Sequence, residues 1–200
     1  FFVAVSLVSL TNLFVFSRLL NTLENEANAL NNEQVNSASL KLDTELSNVL
    51  NTYYRLIKED GFYTYNADTS INTYKLQALQ RTANNLMTAN DSIHSWGVLL
   101  KGRNDMLSSW GIVAVEDFVR VCSADRYDAA FWLGQLEPRY VRTFYPEQSF
   151  TVQSFEYAYW RENKALMPWL MKSYWKNDML VVTFLDMEMI CSKIGTYMEE

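Results

Sequence analysis

The sequence predicts an α+β protein: a transmembrane segment and a long N-terminal helix, then an antiparallel sheet flanked by helices. Three observations predict it. Residues 1–16, FFVAVSLVSLTNLFVF, are almost wholly apolar and carry no charge. No Gly or Pro occurs from Arg18 to Lys58, and apolar residues recur there three and four apart. After Ser92 the pattern changes to short, β-rich runs between turn residues, of which MLVVTFL at 179–185 is the clearest.

A membrane span needs about 20 apolar residues, with a lower limit near 17. The first run starts without an initiator Met or basic flank, so residues 1–17 are expected to be the end of a membrane helix that begins upstream. A signal peptide and a buried core helix are the alternatives. No small-x-small cleavage site follows the run, and the helical pattern continues without a break, which speaks against a signal peptide.

Residues 18–58 form the long amphipathic helix. Leu20, Leu23, Ala27 and Leu30 share one register, which Asn31-Asn32 interrupts. A second register runs through Val35, Ser39, Leu42, Leu46, Val49, Tyr53 and Leu56. Such a stripe lies along a partner, either its own domain or a second copy of the chain. The many Asn residues are weak helix formers, so packing must hold this helix.

Glu59-Asp60-Gly61 breaks it, and Gly61 suits a helix C-terminus. A loop over Phe62–Ser70 leads to a helix over Ile71–Thr88, with Tyr74, Leu76, Leu79, Ala83, Leu86 and Met87 as its apolar positions. Ile93–Leu100 and Met106–Val115 read as a hairpin around the turn at 101–105. Glu116–Val121 starts helical, and Ser123-Ala124-Asp125 offers a cap for a helix running to Leu136. Residues 138–152 read as irregular. Leu166–Ser173 reads as a strand that Pro168 consigns to an edge or a bulge. Met179–Leu185 reads as a strand buried on both faces. Asp186 then caps a helix to Tyr197, with Ile190, Cys191 and Ile194 inward.

The net charge is −6 and no basic patch occurs, which excludes nucleic acid as a partner of this segment. One His and two scattered Cys leave no zinc-ligand spacing and no Ser-His-Asp or Cys-His set. No Gly-rich phosphate loop is present, and no cofactor is expected. Cys122 and Cys191 are expected as two buried free thiols, with a single disulfide as the alternative. Glu156, Glu162, Asp186 and Glu188 read as solvated or capping groups rather than paired catalytic acids.

The order of elements resembles a known family. A span leads into a long helix, a shorter helix, a hairpin, a helical connection and a closing strand and helix, VVTFLDMEMI at 181–190. Residues 177–190 and the hairpin at 93–115 carry the resemblance most. It is to the extracytoplasmic sensor regions of the Cache (extracellular PAS-like) superfamily in Gram-positive transmembrane regulators. The nearest in style are those joined to AraC-type transcription regulators and to sensor histidine kinases. The resemblance implies a small antiparallel sheet of about five strands. It also implies that residues 59–200 are the membrane-distal module of an incomplete tandem, with a cytoplasmic output domain beyond this chain. The amino-acid-binding signature of that superfamily, Tyr…Arg…Trp-Tyr…Asp, finds no match in spacing; Tyr157–Arg161 and Trp169 are only loosely similar to it.

In such modules the ligand lies between the sheet and the helical connection. The resemblance therefore implies Trp110, Trp132, Tyr140, Arg142, Tyr145, Trp160, Trp169 and Lys172 as candidate ligand-binding residues, with Arg142 the foremost. Aromatic planes stack on sugars or rings, and Arg or Lys pairs a carboxylate. The alternative is that the aromatic residues fill a core and that Arg142 is solvated. The expected function is ligand sensing without catalysis, in a cell membrane, with residues after Arg18 extracytoplasmic. The partners implied are a sugar, organic acid or peptide, or a solute-binding protein, together with a second copy of the chain. The alternative function is a non-catalytic interaction or dimerisation module that docks a partner protein or a carbohydrate.

Overall fold

A computed structural model describes residues 2–59, 61–62, 73–138, 140–153, 161–172 and 179–195, with only the helical backbone of 2–17. The chain divides into two compact units, Phe1–Asp43 with Ile194–Glu200, and Thr44–Lys193. Helix α1, Phe2–Lys58, is one continuous helix that belongs to both.

In the first unit Leu20, Leu23, Leu30, Val35 and Leu40 of α1 are all at least half exposed. Among the described residues, no helix is long and apolar enough to cross a membrane. The expected span, residues 1–17, falls where side chains lie outside the described residues.

In the second unit the same helix becomes core. Leu46 is half-buried, and Val49, Tyr53 and Leu56 are buried. The predicted second register is therefore used by its own domain only over its last turns. Helix α2, Thr73–Met87, buries Leu76, Leu79, Ala83 and Met87, whereas Tyr74, expected inward, is exposed.

Among the described residues the sheet has eight antiparallel strands rather than about five. They are β1 Ile93–Leu100, β2 Asp105–Ser108, β3 Gly111–Ala114, β4 Cys122–Ser123, β5 Val141–Phe144, β6 Gln148–Gln153, β7 Arg161–Lys172 and β8 Met179–Asp186. Their order is β3-β2-β1-β8-β7-β6-β4, and β5 pairs with β7 alongside β6. Strand β8 is buried at every residue because β1 and β7 hold its two edges and side chains cover both faces.

Four expectations are corrected. Met106–Val115 is not one strand: it folds back at Ser109-Trp110, where Gly111 has φ 109°. That left-handed conformation is open to Gly and disfavoured for residues with a Cβ. The stretch 138–152 is not irregular, since it holds β5 and most of β6. Strand β7 starts at Arg161 and is central, not an edge. Pro168 is tolerated there because it falls in the gap between the segment of β7 paired with β6 (161–166) and that paired with β5 (169–172). Its missing N–H therefore breaks no ladder bond, and its carbonyl accepts from Tyr145 N at 2.8 Å. Finally, the cap of the mid-chain helix is Asp128, whose carboxylate accepts from Phe131 N at 2.7 Å. Ser123, expected at that cap, belongs to β4.

Among the described residues three further helices follow: α3 Val115–Val121, α4 Ala129–Gly134 and α5 Met187–Gly195. Asp186 caps α5 as expected, accepting from Met189 N at 3.0 Å. Ile190 points inward, but Cys191 is exposed; Cys122 is buried, and both thiols are free.

Candidate functional site

Side chains alternate across a strand, so each row of paired residues shares a face. Leu99, Leu180, Val182, Phe184 and Leu170 lie on the face that α3 and α4 cover. Trp96 and Val98 lie on the opposite face, where Trp96 Nε1 donates to Asn84 Oδ1 of α2 at 3.3 Å.

The layer between the first face and α3–α4 is aromatic, and Tyr127 stands at its centre. Its ring stacks on Phe150 at 5.4 Å and 4°, and on Trp132 at 5.5 Å and 28°. Phe184 receives Phe118, Trp132 and Phe150 at 5.9, 5.8 and 5.3 Å. Each polar tip has a partner. Trp132 Nε1 donates to Tyr127 O, Tyr127 Oη to Pro146 O, and Tyr145 Oη to Gln135 Oε1. Burial pushes the Tyr127 hydroxyl pKa above its ordinary value.

One charged side chain is buried in this layer. Lys172, at the end of β7, is 2% exposed, and its ammonium donates to the carbonyl of Leu136 beyond α4. Its register neighbours are Val141 and Leu180.

The structure thus brings Trp110, Trp132, Tyr145 and Lys172 of the predicted set to one layer. Trp169 lies on the opposite face, with its ring on Phe144 at 4.5 Å and its indole nitrogen buried without a hydrogen-bond partner. Tyr140 is exposed, and Arg142 lies exposed on β5 opposite Met171. The cation of the layer is Lys172, not Arg142. Trp160 lies outside the described residues. Sequence reasoning missed Phe118, Tyr127, Phe150 and Phe184 as members. The alternation of Phe150 and Val152 within QSFTVQ was the signal available for β6.

A second polar cluster sits at the start of β1, where a bulge interrupts pairing with β8. His94 Nε2 lies 3.8 Å from Glu162 Oε1, and Lys164 Nζ lies 3.5 Å from Asp186 Oδ2. Burial, then the Lys164 charge, lowers the His94 pKa; Asp186 and Glu162 oppose this.

No family model matches this chain, and no curated protein matches it. The fold and layer define an α+β protein: an antiparallel sheet with a dense aromatic layer on one face and a buried lysine within it.

Proposed function

We propose that this chain is the extracytoplasmic, non-catalytic sensor part of a membrane-bound signal-transduction or transcription regulator. Residues 1–17 would end its membrane helix, and α1 would carry the signal toward an output domain beyond this chain. The observation that carries the reading is Lys172. An ammonium held in an apolar layer costs several kcal/mol in lost hydration, even after relaxation. A cation kept there, in the same layer as Trp132 and Tyr145, suits the recognition of an anionic group on a small molecule. An organic acid, an acidic sugar or a peptide carboxylate has that chemistry.

The bare apolar residues of α1, Leu20, Leu23, Leu30 and Val35, support pairing of this helix with a second copy of the chain. A ligand can alter that pairing only through its differential affinity for two arrangements.

The test is a thermal-shift screen over organic acids, sugars and peptides. A ligand at a hundred times its dissociation constant adds about 2.7 kcal/mol of stability. The reading expects a shift with an anionic class that Lys172→Met abolishes. A flat screen on well-folded protein rejects it in favour of a docking module without a small-molecule ligand.

A further inference from the structure

Within the unit Thr44–Lys193 the chain enters through α1 and leaves through α5, and a polar cluster joins these two passages. Lys193 Nζ, on α5, is 3.2 Å from Glu45 Oε2 on α1 and 3.0 Å from Ser92 Oγ. It also reaches Asp91 Oδ1 in the turn before β1. Ser92 Oγ donates to the same Glu45 oxygen at 2.9 Å. Ser92 is fully buried, and its carbonyl accepts from Asp186 N at 3.0 Å, where β8 ends and α5 is capped. Ser92 is thus bonded on one side to the end of the sheet and on the other to α1.

Two features make this joint different from the packing beyond it. Downstream on α1, Val49, Tyr53 and Leu56 are held by apolar burial, whereas at Glu45 the hold is charge and hydrogen bonding. The cluster is also partly open to water, with Glu45 at 20%, Lys193 at 27% and Asp91 at 68% side-chain exposure. A groove of about 290 Å³, lined by Asn48, Asn51, Thr52 and Arg55 of α1, runs beside it. The bonds therefore have room to part without opening the core. Solvated pairs of this kind respond to salt and to small displacements, which a packed apolar contact resists.

We propose that the Glu45–Ser92–Lys193–Asp91 cluster is a releasable clasp that sets how firmly α1 is held where it joins the sheet. Rearrangement at the Asp186 end of β8 reaches α1 through Ser92 and Lys193. Its use in signalling rests on the sensor reading, but the clasp itself does not.

Hydrogen exchange of the whole chain, followed segment by segment, tests it. Lys193→Met should raise exchange in residues 45–48 about tenfold, the size of one lost charge-assisted hydrogen bond, with the core-held turns beyond Val49 and strands β7 and β8 unchanged. Glu45→Gln should act in the same direction, and the double variant should show less than the sum of the two. Added salt should mimic Lys193→Met in the parent and do little in the variant. Unchanged exchange in 45–48, a rise spread equally over the sheet, or additive effects would overturn the clasp. A flat ligand screen beside a positive exchange result would reject the sensor reading and leave the clasp standing.

Discussion

Trp110 Nε1 donates to the carbonyl oxygen of Gln153 at 3.1 Å, while the Trp110 ring meets Phe118 edge-on at 5.8 Å. Trp110 is at the β2–β3 turn, and Gln153 ends β6. Three strands, β1, β8 and β7, lie between β2 and β6, so the bond spans most of the sheet and reports its curl. The curl brings the two ends toward each other over α3, and this closes the aromatic layer.

Trp110→Phe keeps most of the ring and removes the bond. It should cost about 1 kcal/mol, the net worth of one hydrogen bond. Trp110→Ala should cost about 3 kcal/mol, because the ring contact to Phe118 is lost as well. Urea unfolding of the two variants separates the terms: no loss in Trp110→Phe would show that the Gln153 bond contributes nothing, and equal losses would show that the Phe118 contact adds nothing.

Gly97 lies diagonally across the β1–β2 pair from Met106, and a Cβ there would overlap the Met106 terminal methyl. Met106 is fully buried, so that methyl must be displaced inside the core. Gly97→Ala should cost about 1–3 kcal/mol by overpacking. Combined with Met106→Ala, the loss should be smaller than the sum of the single losses, as chemical denaturation of the three variants would reveal.

His94 gives stability a defined pH dependence. Its folded pKa is lowered, chiefly by burial, so below the unfolded value of about 6.5 the unfolded chain binds the proton first. Stability from this group is present above that value and declines as pH falls from it through the folded pKa. His94 is the one histidine of the chain, so His94→Gln should flatten the slope of stability between about pH 7 and 5. A slope that persists in the variant would assign the effect to other groups.

The two thiols should differ in reactivity. Cys191 is exposed, while burial pushes the Cys122 thiol pKa far up and hides its sulfur. A thiol reagent should label one site quickly in native protein and the second only on unfolding. Rapid labelling of both would contradict the placement of Cys122 in the core.

Much of the fold was legible because helices and buried strands repeat their pattern locally. The four-and-three spacing marked α1 and α2, the run MLVVTFL marked β8, and Asp186 marked the cap of α5. Strands β5 and the first part of β7 were not legible. Arg142, Thr143 and Phe144 are exposed along β5, and Arg161–Asn163 are exposed in β7, so no apolar alternation announces them. Their strand conformation comes from pairing with neighbours. The candidate layer was legible in part: Trp132 and Lys172 were named, but the central place of Tyr127 and the outward placement of Arg142 were not.

By itself the sequence determined the helices α1 and α2 and the strands β1 and β8, that the chain is acidic, and that its one His and two Cys form no metal-ligand spacing. The tertiary structure alone decided which half of the α1 stripe is covered, which face each aromatic residue joins, and which cation is buried. The physical reason is range. Periodicity is a property of neighbouring residues, whereas facing and burial depend on pairs such as Glu45 and Lys193, 148 positions apart, meeting in space.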